Sequence, residues 1–334
     1  MIMKMKKFFY LAMLAIAPLA FTACGSDDNE SGGNGGGGTT PQQETKMKAP
    51  QFQDDAMKIT MTKVEAPIIK SALDEEFAMT TLELTESGNY VIEITPIKEN
   101  STDVKPEFIT GTFEKAEATD KDETYKLENF GELTVINRNG NKITAQLSVN
   151  ENAITSSGAK KMRKAPSVLD FTGSIVVGQN ASASIRFGNL CRTWNIQKYE
   201  ITVKVDGKNP AFGGAGFNLH EIIERLNRYG IEVKETSEYL KNPNKYVTGL
   251  MLTAAGSYII TYADGSCDYG TYNLNLSTND FTYSWKDSSM GTSFENGKAI
   301  LTWKDGAYVL SINTGFTYKN KSYTSETSLW FVEK

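Results

Sequence analysis

The sequence predicts an all-β protein built from two antiparallel meander domains, the second an eight-stranded barrel with one inserted α-helix. Three observations predict it. Apolar and polar residues alternate with period two through most of Tyr246–Lys334. Gly-containing turn pairs punctuate the alternation. Finally, a short motif recurs in the same order in both halves of the chain.

The N-terminal residues come first in chain order. Residues 1–23 read as an export signal: Lys4, Lys6 and Lys7 precede an apolar run from Phe8 to Phe21 that is too short for a membrane span. Small residues then precede Cys24, as in a bacterial lipobox, with Phe21 where Leu is usual. On this reading Cys24 is the lipidated first residue of the mature chain, anchored through its acyl chains (palmitate among them). The alternative is an ordinary secretory signal with an incidental cysteine. Residues 24–46, acidic and then Gly-rich, form a flexible tether of roughly 25 Å. Asp27, Asn29, Ser31 and Gly32 imitate the start of a calcium loop, but the twelfth position is Gly38 rather than Glu.

Residues 47–150 form the first domain, with strands near Ala56–Glu65, Thr80–Thr85, Tyr90–Thr95, Glu107–Glu114, Glu132–Asn137 and Lys142–Val149. Asn139-Gly140 marks a hairpin. Residues 151–188 read as a linker or extra strands, and the basic cluster at Lys160, Lys161, Arg163 and Lys164 as a solvated connector.

Residues 189–334 form the second domain. A strand from Trp194 to Val205 precedes seven more: Tyr246–Ala254, Ser257–Ala263, Asp268–Ser277, Asp280–Lys286, Lys298–Lys304, Ala307–Tyr318 and Ser322–Val332. Ala255-Gly256, Asp264-Gly265, Asn296-Gly297 and Asp305-Gly306 read as its joints. Between the first two strands, Phe217–Gly230 reads as a helix: Asn218 caps it, Glu221 completes the capping box, and Leu219, Ile222, Ile223 and Leu226 form its apolar stripe.

The repeat sets Leu84-Thr85-Glu86-Ser87-Gly88-Asn89-Tyr90-Val91-Ile92 against Leu252-Thr253-Ala254-Ala255-Gly256-Ser257-Tyr258-Ile259-Ile260, and later Gly111-Thr112-Phe113 against Gly270-Thr271-Tyr272. Gly88 and Gly256 are expected to close hairpins. Tyr90 and Tyr258 are expected to cover barrel ends. Gly111 and Gly270 are expected to mark a bend or bulge.

Removing the three lysines of the signal takes the formal charge from −5 to −8. With no basic run or aromatic-basic stripe, nucleic acid is excluded as a partner. Cys191 and Cys267 remain after Cys24, and in an oxidising compartment they are either a disulfide or two free thiols. Two cysteines and the single histidine, His220, make no zinc site, and no cofactor beyond the lipid at Cys24 is implied. No catalytic motif is present: a Ser-His-acid or Cys-His site would need His220, which reads as a helix-surface residue.

On the Thr193-Trp194 opening, the Leu-Thr-x-x-Gly-x-Tyr hairpin and the Gly-Thr-Tyr strand, the chain resembles the lipocalin-like domains of Bacteroidetes lipoproteins. The likeness covers most of the second domain and extends to the first. It departs at Arg192, where a lipocalin opening has Gly. The acidic residues after Cys24 resemble the surface-export signal of the same lipoproteins, which implies the outer face of the outer membrane; the alternative is a periplasmic spacer. The resemblance implies a barrel for a small apolar molecule and carries no catalytic residues. Trp194, Tyr258, Trp285 and Trp303 are the candidate ligand contacts, for an apolar molecule or for stacking on a glycan, against the alternative that they pack the core. A non-catalytic binding module is thus the first expectation, and an interaction subunit of a surface assembly the second, with oligomeric state open. A deep cavity would favour the former and a large exposed apolar patch the latter.

Overall fold

A computed structural model describes residues 47–62, 64–97, 106–116, 123–150, 160–163, 168–178, 185–205, 211–214, 228, 246–286, 294–318 and 321–334. The signal, the tether and the 217–230 helix (Arg228 apart) lie outside the described residues.

The first unit contains β1 (Met57–Thr60), β2 (Ile68–Lys70), β3 (Glu76–Leu84), β4 (Asn89–Pro96), β5 (Glu107–Lys115), β6 (Glu123–Leu127), β7 (Gly131–Asn139), β8 (Lys142–Val149) and β9 (Leu169–Ile175). Strands β3 to β9 pair in sequence order, and β1 joins the two edges, with Met57 opposite Leu84 and Ile59 opposite Ile175. The result is a closed antiparallel barrel of eight strands, with β2 as a flap on β3. β9 falls in the stretch read as linker or extra strands.

The second unit begins with a single short helix turn, α1 (Ile185–Leu190), and continues with β10 (Thr193–Val205), β11 (Ala211–Gly214), β12 (Val247–Leu252), β13 (Ser257–Tyr262), β14 (Cys267–Asn275), β15 (Asp280–Lys286), β16 (Phe294–Lys304), β17 (Ala307–Tyr318) and β18 (Lys321–Glu333). The long β10 pairs with β12 through Thr193–Asn195 and with β18 from Trp194 to Val205, so this barrel also closes at eight strands. Strand β11 is its appended flap.

Inward positions are apolar and outward ones largely polar, as in β8, where Ile143, Ala145, Leu147 and Val149 are buried and Lys142 is exposed. Each interior holds a cluster of buried side chains. Phe77, Ile92, Tyr125 and Phe130 pack the first barrel, and Trp194, Tyr258, Phe281, Tyr308 and Phe331 pack the second. Among the described residues no helix is long and apolar enough to cross a membrane.

Several expectations need correction. Asn296-Gly297 is not a joint: β16 runs through it, with Asn296 opposite Ser284 and Gly297 opposite Tyr283. Asp305-Gly306 is a true two-residue hairpin, both residues at positive φ (51° and 80°). Gly111 and Gly270 mark no bulge, because the register runs unbroken through both. Instead each lies under the ring of the tyrosine opposite it. A methyl group on Gly111 would meet the Tyr90 ring at 2.7 Å, and one on Gly270 would meet the Tyr258 ring at 2.4 Å. Tyr90 and Tyr258 are core residues, each one residue into its strand and laid across a glycine of the neighbouring strand. The basic connector is also tied down. Lys160 bridges Glu75 and Glu107 at 3.1 and 2.9 Å and lies over the Phe77 ring. Met162 is buried against Ser71, and Arg163 pairs with Asp74.

Candidate functional site between the barrels

Of the aromatic residues expected to bind a ligand, Trp194 and Tyr258 are buried in the second barrel and Trp303 is half-buried against its core. Trp194 is 0% exposed; its Nε1 donates to the Leu190 carbonyl at 2.9 Å, and its ring meets Tyr308 and Phe331 edge-on. Tyr258 is likewise 0% exposed, inside the second barrel. Trp303 packs on Tyr308 at 4.7 Å. Trp285 lies opposite Gly270 on β15, but its ring is not among the described side chains. Cys191 and Cys267 are not joined in a disulfide, which corrects the disulfide reading. The barrel wall separates them: Cys191 belongs to the interior core beside the Tyr272 hydroxyl, whereas Cys267 packs on the outer face with Tyr269 and Ile259. Burial pushes the Cys191 thiol up, and the nearby Glu86 charge adds to the rise.

The repeated hairpins form the junction between the barrels. They match bond for bond. Thr85 N donates to Asn89 O at 2.8 Å, and Thr253 N to Ser257 O at 2.9 Å; Phe113 N donates to Gly88 O at 2.8 Å, and Tyr272 N to Gly256 O at 2.7 Å. The threonine hydroxyls Thr85 Oγ1 and Thr253 Oγ1 each accept from the amide four residues on, at 3.1 Å. Val91 and Ile259, each one residue beyond the repeated tyrosine, meet in one apolar cluster with Phe108, Met251 and Tyr269. Equivalent outer walls thus pack against each other.

Acidic residues break the equivalence. Counting along the repeat, Glu83 stands where the second barrel has Met251, and Glu86 where it has Ala254. Glu83 is the end of a buried chain of donors. Lys58 Nζ donates to Ser257 Oγ at 2.8 Å, Ser257 Oγ lies 2.9 Å from the Tyr269 hydroxyl, and that hydroxyl donates to Glu83 Oε2 at 2.9 Å. Since the Tyr269 proton goes to Glu83, Ser257 is the donor in the middle bond. Thr253 Oγ1 donates to Glu83 Oε1 at 2.7 Å. Burial, with the Glu83 charge adding, holds the Tyr269 phenol protonated. A lysine and a carboxylate, each on the first barrel, are therefore joined through hydroxyls of the second.

Beside this latch lies a cleft of about 500 Å³, lined by Lys48, Ala49, Pro50, Gln51, Glu86, Ser87, Asn89, Arg192, Thr193, Glu333 and Lys334. Both barrels and both ends of the described chain contribute to it. Arg192 organises the floor. Its Nε donates to Asn189 O at 2.7 Å, its Nη2 to Lys48 O at 2.6 Å and its Nη1 to the Glu333 carboxylate, while the guanidinium rests 5.6 Å from the Trp194 ring centre. Thr193 N donates to Ser87 Oγ at 2.6 Å, crossing from one barrel to the other.

Two residues that line the cleft each have a polar atom buried out of reach of solvent and without a hydrogen-bond partner among the described residues: Glu86 Oε2 and Thr193 Oγ1. The other Glu86 oxygen accepts from the Ala254 N–H at 2.8 Å. Glu86 is 3% exposed. Burial lifts its carboxyl to about 7, the Glu83 charge adding and the backbone N–H groups of Ala254 and Glu86 opposing. Among the described residues no group of three or more His, Cys, Asp or Glu is placed to hold a metal ion.

Sequence reasoning missed this site because Thr81 and Glu83 alternate with Leu82 and Leu84, which reads as a solvent face; the second barrel covers that face instead. The one available signal was the pair of acids at positions where the repeat otherwise holds Met251 and Ala254.

No protein-family model and no curated protein matches the sequence. Among solved structures, the chain is similar to transferrin binding protein B from Haemophilus parasuis Hp5 (a Trp-176-Ala mutant) at 6% identity and a TM-score of 0.19, covering 78% of this chain and 54% of that one. It is also similar to intact Ap-TbpB, with N and C lobes, at 8% identity and a TM-score of 0.17, covering 78% and 56%. The chain thus spans about half the length of the solved structures it matches, and at these scores the similarity bears on neither ligand nor mechanism.

Proposed function

We propose that this chain is a non-catalytic binding module, held at the outer membrane by a lipid on Cys24, that takes a small polar ligand in the cleft between its two barrels. One observation carries the reading: a cleft of about 500 Å³ between the barrels, lined mostly by polar and charged residues, Lys48, Gln51, Glu86, Asn89, Arg192 and Glu333 among them. A polar ligand, in place of the small apolar molecule that the lipocalin-like resemblance implies, suits a cleft lined mostly by polar and charged residues. Anchoring at Cys24 rests on the basic head, apolar run and small residues that precede it; replacing Cys24 with Ser should abolish incorporation of labelled palmitate.

The ligand reading is tested by a thermal-shift screen on the mature chain carrying Cys24→Ser. The panel holds amino acids, amines, sugars and fatty acids. Gln51 is exposed at the cleft, so Gln51→Trp fills it without disturbing a packed contact. A polar compound should raise Tm in the parent and not in Gln51→Trp. Stabilisation by fatty acids, equal in both proteins, would put the site inside a barrel and sink the cleft.

A further inference from the structure

We propose that a proton operates the contact between the two hairpins beside the cleft: with Glu86 protonated the hairpin tips stay fastened across the barrels, and with Glu86 ionised the tips part while the latch keeps the barrels joined. The proposal concerns the junction itself and stands whether or not the cleft holds a ligand.

The geometry places an acid where its charge has no counterpart. Glu86, at the turn of the first hairpin, reaches across the junction, and its Oε1 accepts from the Ala254 N–H at 2.8 Å. One residue on, Ser87 Oγ accepts from the Thr193 N–H at 2.6 Å. Glu86 is 3% exposed, and its Oε2 has no partner among the described residues. Only backbone N–H groups donate to the carboxyl, and neutral donors do not repay the hydration that an ion gives up. The surrounding groups do not repay it either. Glu83, on the same hairpin, adds a second acid. From the start of β10, the Cys191 thiol is raised by burial and neutral, and Arg192 is committed to Asn189 O, Lys48 O and Glu333. From β14, the Tyr272 phenol is likewise neutral and donates to Thr253 O. Lys48, Glu333 and Lys334 line the cleft as exposed residues, and none bonds Glu86 Oε2. The latch bonds and the apolar cluster beside them use no atom of Glu86, so they can hold while the tips part.

The closed junction holds the Glu86 proton up to about 7, whereas a carboxyl released to water returns to 4.5. The closed form therefore binds a proton that the open form gives up between those values, and closure weakens as pH rises through them. The open fraction grows by about tenfold per pH unit within that window, about seventyfold in all from pH 5 to pH 8, and levels off above pH 8.

The test is nuclear magnetic resonance on the mature Cys24→Ser chain labelled with 15N-alanine. The Ala254 amide, identified by its loss in Ala254→Gly, touches the carboxyl, and its proton shift should titrate with a midpoint near pH 7. Its protection from hydrogen exchange, corrected for the intrinsic effect of pH, should fall about seventyfold from pH 5 to pH 8. At pH 8 it should also exchange at least tenfold faster than the amide of Ala145, which lies in a strand paired on both sides. Glu86→Gln keeps a carbonyl for the Ala254 N–H and should abolish both the titration and the fall. A midpoint below pH 5.5, protection that does not change with pH, or an equal fall in Glu86→Gln would each overturn the proposal. Equal exchange of Ala254 and Ala145 would also overturn it, because the opening would then be unfolding of the whole chain. The midpoint and exchange of the parent decide the matter without the variant.

Discussion

Glu86 links the site to stability. Its carboxyl titrates near 4.5 in an unfolded chain and at about 7 in the folded one. The folded state thus holds a proton that the unfolded state releases between those values, so stability falls as pH rises from about 4.5 through 7. The loss is of the order of 3 kcal/mol from this one group. Urea midpoints should therefore drop between pH 5 and pH 8 in the parent more than in Glu86→Gln, and the variant should be the more stable at pH 8. A matching fall in both proteins would show that Glu86 is not the titrating group. At this scale the sequence displayed the aromatic residues plainly and misled about their use. Trp194 and Tyr258 are where alternation puts them, facing inward, but packing with Tyr308, Phe331 and Gly270 leaves them no free face. Period two distinguishes in from out; it does not distinguish a filled interior from a hollow one.

The repeated hairpins show how elements are fixed by small residues. Gly270 lies between the Tyr258 ring and a backbone oxygen: an added Cβ would sit 2.4 Å from the ring and 2.5 Å from Ser284 O. At Gly111 the near atoms, at 2.7 to 3.0 Å, all belong to the Tyr90 side chain. A side chain can yield and a strand's carbonyl cannot. Gly270→Ala should thus cost about 3 kcal/mol or more, and Gly111→Ala less, measured by chemical denaturation. Equal costs would mean that Tyr90 is as fixed as the backbone. All seven strands expected between Tyr246 and Val332 are present, because most of the stretch alternates with period two and turn pairs bound several of the strands. β6 was not anticipated, and the sequence left β9 open between a linker and an extra strand. Glu123–Leu127 is only five residues long, and Leu169–Ile175 follows a stretch whose Ser, Gly, Lys and Pro content reads as a connector. Their place is set by barrel closure, a constraint that no local window contains.

On the scale of the whole molecule, the latch makes the two barrels one mechanical unit. Lys58 and Glu83 reach Ser257, Thr253 and Tyr269 through buried bonds of 2.7 to 2.9 Å, around an apolar cluster of Val91, Phe108, Met251 and Ile259. Calorimetry of the parent should give a single cooperative transition. Glu83→Ala leaves Tyr269 and Thr253 without their acceptor and Lys58 without its distant counter-charge. It should cost about 3 kcal/mol and separate the melting of the barrels into two transitions. Two transitions already in the parent would mean that the latch carries little. The duplication was legible in the sequence; that its two copies pack on each other was not, since a covered outer wall and a wetted one have the same polar pattern. The cleft exists only because of that packing. Its occupancy is tested most directly by native mass spectrometry on the protein purified from the cells that produce it, parent beside Gln51→Trp. A reproducible small polar adduct on the parent, missing from the variant, is the expected result. An adduct of equal abundance on both, or a fatty acid on either, would contradict a ligand held between the barrels.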